Sequence, residues 1–366
     1  MKKQKNEENK NVYNDILESA VAFGKDVASK MKKSVGEAIE KEKEEKNIAK
    51  TVKKVAETGK TTAVTVKDKV VGTLDQDKSG QVDIGDIIIL AFKTPGVKIN
   101  RESFLRKELF KKYPEEVVND AVARTPALAG ITPEDIEKIS NDVIESERIK
   151  VSGISAALGV PGGWAIAATI PADITQYYGY TLRATQKLLY LYGFPEITVD
   201  QDGVYLDSET INEIIICLGV MNGVAGANNA IKSIAKAFAT GVEKKLLNTA
   251  LTKGTIYPIV KAVMKWFGVK LTKEVFAGFF KKAIPVAGGV IGGGITYLTF
   301  KPCCQRLKKV LKDTMLSNPK HQSTKEENIF VQEIKNGTVV DADFVEVDEV
   351  PEAEPFTVDE VEDTEE

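Results

Sequence analysis

The sequence predicts an all-α protein: a helical bundle with a single EF-hand-like loop, one short β-hairpin and disordered termini. Three observations carry that expectation. Apolar residues recur at steps of three and four through most of the chain. Strand-like patterning is confined to one short stretch near residues 197–206. The segment Asp75 to Asp86 spaces oxygen-bearing side chains as a calcium loop between two helices does. With 366 residues, the chain has room for one large or two modest domains plus tails.

Residues 1–72 read as an amphipathic, charged helical arm. Ile16, Ala20, Phe23, Val27, Met31, Val35 and Ile39 form one narrow stripe, with Lys25, Lys30, Lys32 and Lys33 around it. Lys41 to Lys46 is almost wholly charged, and Val52, Val55, Val64, Val66 and Val70 resume a thin apolar face. Such an arm suits an anionic membrane surface or a partner, or stays a solvated helix. The first ten residues put no apolar run behind their lysines, so they do not read as a secretory signal.

Residues 73–98 hold the loop and the helix after it. A hard divalent cation takes six or more oxygens at short range. Asp75, Asp77 and Ser79 supply side-chain oxygens at positions 1, 3 and 5, and Gly80 makes the sharp turn at position 6. Gln81 offers its carbonyl at position 7, Val82 packs inward at position 8, Asp83 takes position 9 and Asp86 position 12. Ser79 and Asp86 depart from the D-x-[DN]-x-[DN]-G-x5-E pattern. The shorter Asp86 carboxylate weakens bidentate ligation, so the expectation is weak calcium binding, or relatively more magnesium. The bland alternative is an acidic turn that binds nothing. Asp200-Gln-Asp202-Gly203 is no second loop; it reads as the turn of the hairpin.

Residues 99–318 read as the main helical domain. Thr94-Pro95-Gly96 stops the helix after the loop. A basic helix follows from Arg101, with Phe104, Leu105, Leu109 and Phe110, and Tyr113-Pro114 ends it. Glu115 to Arg124 is a further short helix. Thr132 caps the next, with Pro133 at its first position and Ile136, Ile139, Val143 and Ile144 on one face. Val151 to Ile170 carries no charge and is broken by Gly159-Val-Pro161-Gly162-Gly163. A long helix runs from Asp173 to Tyr192-Gly193, and Asp207 or Ser208 caps another through Val220. Ala283 to Phe300 is again uncharged, and Gly288/Gly292 and Gly289/Gly293 share helix faces that admit close backbone approach. That run reads as a buried core helix, a reversibly membrane-associated one or a spanning one, and Lys301, Arg306, Lys308 and Lys309 would suit an anchor.

Residues 319–366 read as a disordered acidic tail. Residues 341–366 hold thirteen Asp or Glu and no Lys or Arg, which against a chain total of −3 leaves about +10 on the rest. The basic remainder carries no RNP, helix-turn-helix or zinc pattern, which excludes nucleic acid as the expected partner. Cys217, Cys303 and Cys304 make no CxxC pair and fit a reducing cytosol, as buried or inert thiols.

The segments Gly159-Val-Pro161-Gly162-Gly163, Pro171-Ala-Asp173, Leu191-Tyr192-Gly193 and Ile284-Pro285 through Thr296-Tyr297 resemble the bacterial EcsC family over roughly residues 100–318. The family is named from a locus that also encodes an ABC transporter, and the resemblance implies no enzymatic activity. Thr296 stands where the family has an asparagine, so no role is carried to it.

Catalytic signatures are missing from the sequence. His321 is the one histidine, in a polar stretch that reads as flexible, and no HExxH or GxxxxGK[ST] occurs. Asp173, between apolar stretches and close to Tyr177, Tyr180 and Arg183, is a candidate functional acid or a plain N-cap. The expected function is a non-enzymatic bacterial intracellular protein, associating peripherally with membranes or membrane complexes and binding one divalent ion. The alternatives are a soluble module for a lipid-like ligand or a protein partner, and an enzyme on an apolar substrate using Asp173. A homo-oligomer through the glycine faces fits any of these.

Overall fold

The computed structural model describes residues 75–76, 82–159, 166–197, 206, 208–242, 244–252, 254, 256–268, 287–318, 320–336 and 353. The arm at residues 1–72, the hairpin turn, and Asp77, Ser79 and Gln81 of the loop lie outside them. Within these residues the protein is helical, and the one β-bridge joins Val224 to Ala353 in antiparallel sense. In order, the helices are α1 (Ile84–Phe92), α2 (Arg101–Leu109), α3 (Glu115–Ala123), α4 (Pro133–Gly159), α5 (Ile166–Leu191), α6 (Ser208–Met221), α7 (Ala227–Ala239), α8 (Lys244–Thr252), α9 (257–268), α10 (Ala287–Lys312) and α11 (Lys325–Lys335).

The caps explain several of these starts. Thr132 Oγ1 accepts from the Asp135 amide at the head of α4, and Asn100 Oδ1 accepts from Ser103 at the head of α2. The buried faces follow the expected periods. Phe104, Leu105 and Leu109 of α2 are buried, while Phe110 just beyond its end is 47 % exposed. On α4, Ile136, Val143 and Ile144 are buried and Ile139 packs at the core edge.

Three long helices form the centre. α4 packs most extensively on α10 and next on α5, and α10 also touches α5. Both pairs with α4 are antiparallel, as their polar contacts show. Lys308 and Lys312 reach Glu137 at 3.3 and 2.5 Å, Gln305 reaches Asn141 at 3.2 Å, and Arg148 reaches the Tyr297 hydroxyl at 2.9 Å. Ser140 donates to the Tyr192 hydroxyl at 3.5 Å, while Glu147 meets Arg183 and Lys187. α1 packs on α5 and α6, and buried Gln186 straps residues 97–99 to α5 through Val97 O and Ile99 N.

Three expectations change here. Residues 319–366 do not begin a tail at once. Thr324 caps α11, and Phe330, Val331 and Ile334 are buried against the body, because their one-sided spacing gives that segment an apolar face to hide. Asp173 is not the N-cap of a helix starting at Ile174: α5 begins at Ile166, so Asp173 lies within the helix. The basic flank after Phe300 does not project as an anchor. Arg306 and Lys308 are buried, and Lys308 and Lys312 are committed to Glu137. Of the uncharged run from Ala283 to Phe300, residues 283–295 lie outside the described side chains, Leu298 is exposed and Phe300 is buried; beyond the run Cys303, Cys304, Leu307 and Leu311 of α10 are buried. No helix among the described residues is long and apolar enough to cross a membrane.

Gly219 marks a close approach of α6 to α9. A Cβ there would sit 2.6 Å from Val263 Cγ2 and 3.1 Å from Ala227 Cβ, and a branched valine cannot swing aside. Gly219→Ala is therefore expected to cost about 1–3 kcal/mol in denaturant unfolding. Gly268→Ala, where an added Cβ meets nothing within 4 Å, is expected to be neutral or slightly stabilising.

Candidate functional site

The acidic loop is closed at its C-terminal end by helix capping. Asp83 is the N-cap of α1, and its carboxylate accepts from the Asp86 amide at 3.0 Å. Asp86 returns the bond, accepting from the Asp83 amide at 3.0 Å, which completes a capping box. The other Asp86 oxygen accepts from the Gln76 amide at 2.7 Å, ten residues back. Asp86 is 3 % exposed, so a carboxylate at loop position 12 is buried beside the loop's beginning. Val82, at position 8, packs against the core as its sequence position suggested. The described residues thus bring Asp83 and Asp86 together and tie both to Gln76, next to Asp75. They contain no group of three His, Cys, Asp or Glu side chains arranged to hold a metal ion. Each Asp86 oxygen takes one backbone hydrogen bond, from Gln76 and from Asp83.

A second region lies where the three long helices pass a ring of charged and aromatic side chains. The Arg148 guanidinium stands 4.0 Å over the Tyr297 ring. Tyr177 lies edge-on to Phe300 at 6.3 Å, and Arg183 lies over Tyr180 at 5.8 Å. Tyr177 and Tyr180 of α5, Arg148 of α4, and Tyr297 and Phe300 of α10 therefore occupy neighbouring levels of the bundle. Beyond that level α4 continues through residues 151–159, α10 reaches back through 287–296 and α5 through 166–176. Each overhang is roughly ten residues, or about 15 Å of helix. Asp173 is the only charged residue in all three. Its side chain lies outside the described residues.

Glu147 holds the ring together and is the residue that sequence reasoning missed. It is fully buried, with Lys187 at 2.6 Å, Arg183 at 2.9 Å and Lys150 at 3.4 Å. Arg183 also donates to the Gly96 carbonyl, joining the ring to the segment after α1. Burial disfavours the Glu147 carboxylate, but hydrogen bonds from Arg183 and Lys187 outweigh it and its pKa is lowered. Burial lowers the Lys187 pKa, and Glu147 offsets only part of that. The signal was present in the sequence: Glu147 falls on the same stripe as Ile136, Ser140, Val143, Ile144 and Val151. A glutamate on an apolar stripe demands cations from a facing helix.

His321 departs from the flexible reading. Its side chain is 3 % exposed and stands between Asp313, at 3.3 Å from Nδ1, and Glu327, at 2.9 Å from Nε2. It fastens the turn after α10 to α11. Cys217, Cys303 and Cys304 form no disulfide and are buried, and burial pushes the thiols of Cys217 and Cys304 well up, as inert thiols require. A groove of about 520 Å³ is lined by Arg101, Arg124, Gly193, Glu196, Phe238 and Leu316. Arg101 there is spent on the carbonyls of Phe194, Val122 and Arg124.

Glu147→Gln is expected to cost about 3–5 kcal/mol, since it leaves the half-buried Lys187 and Arg183 without their counter-charge. The lowered Glu147 pKa fixes the sign of the pH effect. Its contribution is complete above the ordinary glutamate range and fades as acid takes the pH down through the lowered value. The variant should therefore show less acid-induced loss of stability than the wild type, in denaturant titrations across that window.

Comparison of the chain with protein-family models, with curated proteins and with solved structures gives no match, so the resemblance to the EcsC family rests on the sequence motifs alone.

Proposed function

We propose that this is a non-enzymatic protein that associates peripherally with a membrane, and that the loop from Asp75 to Asp86 binds one divalent cation, calcium or magnesium. The observation that carries the membrane reading is the partition of charge along the three central helices. One side of the Arg148–Tyr297 level holds Glu137, Glu145, Glu147, Lys187, Arg306 and Lys308; the other holds Lys150, next to the level, and Asp173. Helix ends without charge do not face water at no cost in a soluble protein, while helices too short and too glycine-rich to span can still enter one leaflet.

The ion reading is supported by Asp86. A buried carboxylate tied to the backbone at Gln76 closes a twelve-residue loop that contains Asp75, Asp77 and Asp83 as well. Crowding four carboxylates without cations in the same loop, apart from Lys78, is unfavourable until a divalent ion neutralises them. Because α1 packs on α5, ion binding would stiffen the base of the same helices.

Two measurements test the two halves. Calorimetric titration with calcium is expected to give heat with the wild type and none with Asp75→Ala; equal heats from both retire the ion loop. In vesicle co-flotation the wild type is expected to float with phosphatidylcholine–phosphatidylserine vesicles. A protein that stays at the bottom with and without calcium removes the membrane half.

A further inference from the structure

Resting on the membrane reading above, we infer that the three-helix end beyond the Arg148–Tyr297 level is the inserting element, a wedge that enters one leaflet of an anionic bilayer with Lys150 of the ring at the headgroups. The first ground is exposure. Leu298 is 65 % exposed and Ile149 is 59 % exposed, and they directly follow Tyr297 and Arg148. Arg148 and Tyr297 face each other across an antiparallel helix pair. One residue onward turns each helix by about 100°, and in an antiparallel pair the two turns lead to the same side. Ile149 and Leu298 therefore form one apolar patch on one side of the bundle, at the level where charge ends.

The second ground is length. Overhangs of about 15 Å match half of a hydrocarbon core about 30 Å thick. They suit one leaflet and fall short of two. Pro302 supports a change of character at this level, because it cannot return the helical hydrogen bond to the Leu298 carbonyl. The glycine half of α10 is in this way set off from the core half.

The third ground is charge. At the ring, Arg148, Lys150, Arg183 and Lys187 face Glu145 and Glu147, an excess of two positive charges. The Lys150 side chain is 47 % exposed and sits beside Ile149. Tyr177, Tyr180 and Tyr297 stand at the same level, and tyrosine with arginine and lysine is the side-chain set of a bilayer interface. The sequence joining α9 to α10 adds Lys270, Lys273, Lys281 and Lys282 against Glu274 alone. The occupant that complements this arrangement is an anionic phospholipid surface.

The experiment uses the full chain and vesicles of phosphatidylcholine alone or mixed with phosphatidylserine. Leu298→Asp and Ile149→Asp alter exposed side chains, so folding, checked by circular dichroism and melting, should persist. Each is expected to weaken binding to the mixed vesicles by about tenfold, and wild-type binding should fall in high salt. Leu298→Cys carrying an environment-sensitive fluorophore is expected to brighten on those vesicles and to be quenched by lipids brominated high on the acyl chain. The native cysteines are buried and will not compete for the label. Undiminished binding by both Asp variants, with an unquenched label, would place the contact on another face: it overturns the wedge and leaves the membrane reading standing. No binding by the wild type overturns both.

Discussion

Removing the Glu147 carboxylate from water is unfavourable, and Lys187, Arg183 and Lys150 compensate for it from two helices. That constraint fixes the register of α4 against α5. A shift of α5 by one turn would put Gly179 or Leu191 in place of one of the two α5 cations. The same helix then presents Arg148 to Tyr297, and that contact sets α10. Further along, Glu137 and Asn141 take Lys308, Lys312 and Gln305, so α10 is indexed at two points on one neighbour. The apolar contacts supply most of the free energy, but they are tolerant of sliding; the ions are not.

From that register follows the segregation of charge. The helices are amphipathic around their axes, as globular helices are, and they are also polarised along their axes. Their charged halves lie together because the ion pairs require it, and the sequence leaves the opposite halves uncharged apart from Asp173.

Much of the helical layout was legible in the sequence. Thr132-Pro133 announced α4, Thr94-Pro95-Gly96 ended α1, and the buried face of α2 followed from Phe104, Leu105 and Leu109, each through local chemistry that acts within a few residues. The boundaries that went astray depended on distant partners. Residues 325–335 looked like part of an acidic tail because the carboxylates from 341 onward dominate the composition, whereas Phe330 and Ile334 find their surface only in the folded body. Asp173 looked like a cap because Pro171 precedes it, yet the helix begins earlier. His321 looked mobile because its neighbours are polar, and its two carboxylates come from Asp313 and from α11. At the loop, the capping register of Asp83 and Asp86 could be read from spacing, but the reach of Asp86 back to Gln76 could not. Glu147 was in plain view on an apolar stripe; only its cations, thirty-six and forty residues away, were hidden.

The pairing of Ala353 with Val224 has a consequence for the acids that follow it. Seven of residues 354–366 are Asp or Glu. Tethered counter-charges of that kind act at an effective concentration set by chain geometry, and dilution does not weaken them. An outside polyanion would meet that tethered charge as a competitor at the exposed lysines of the same chain.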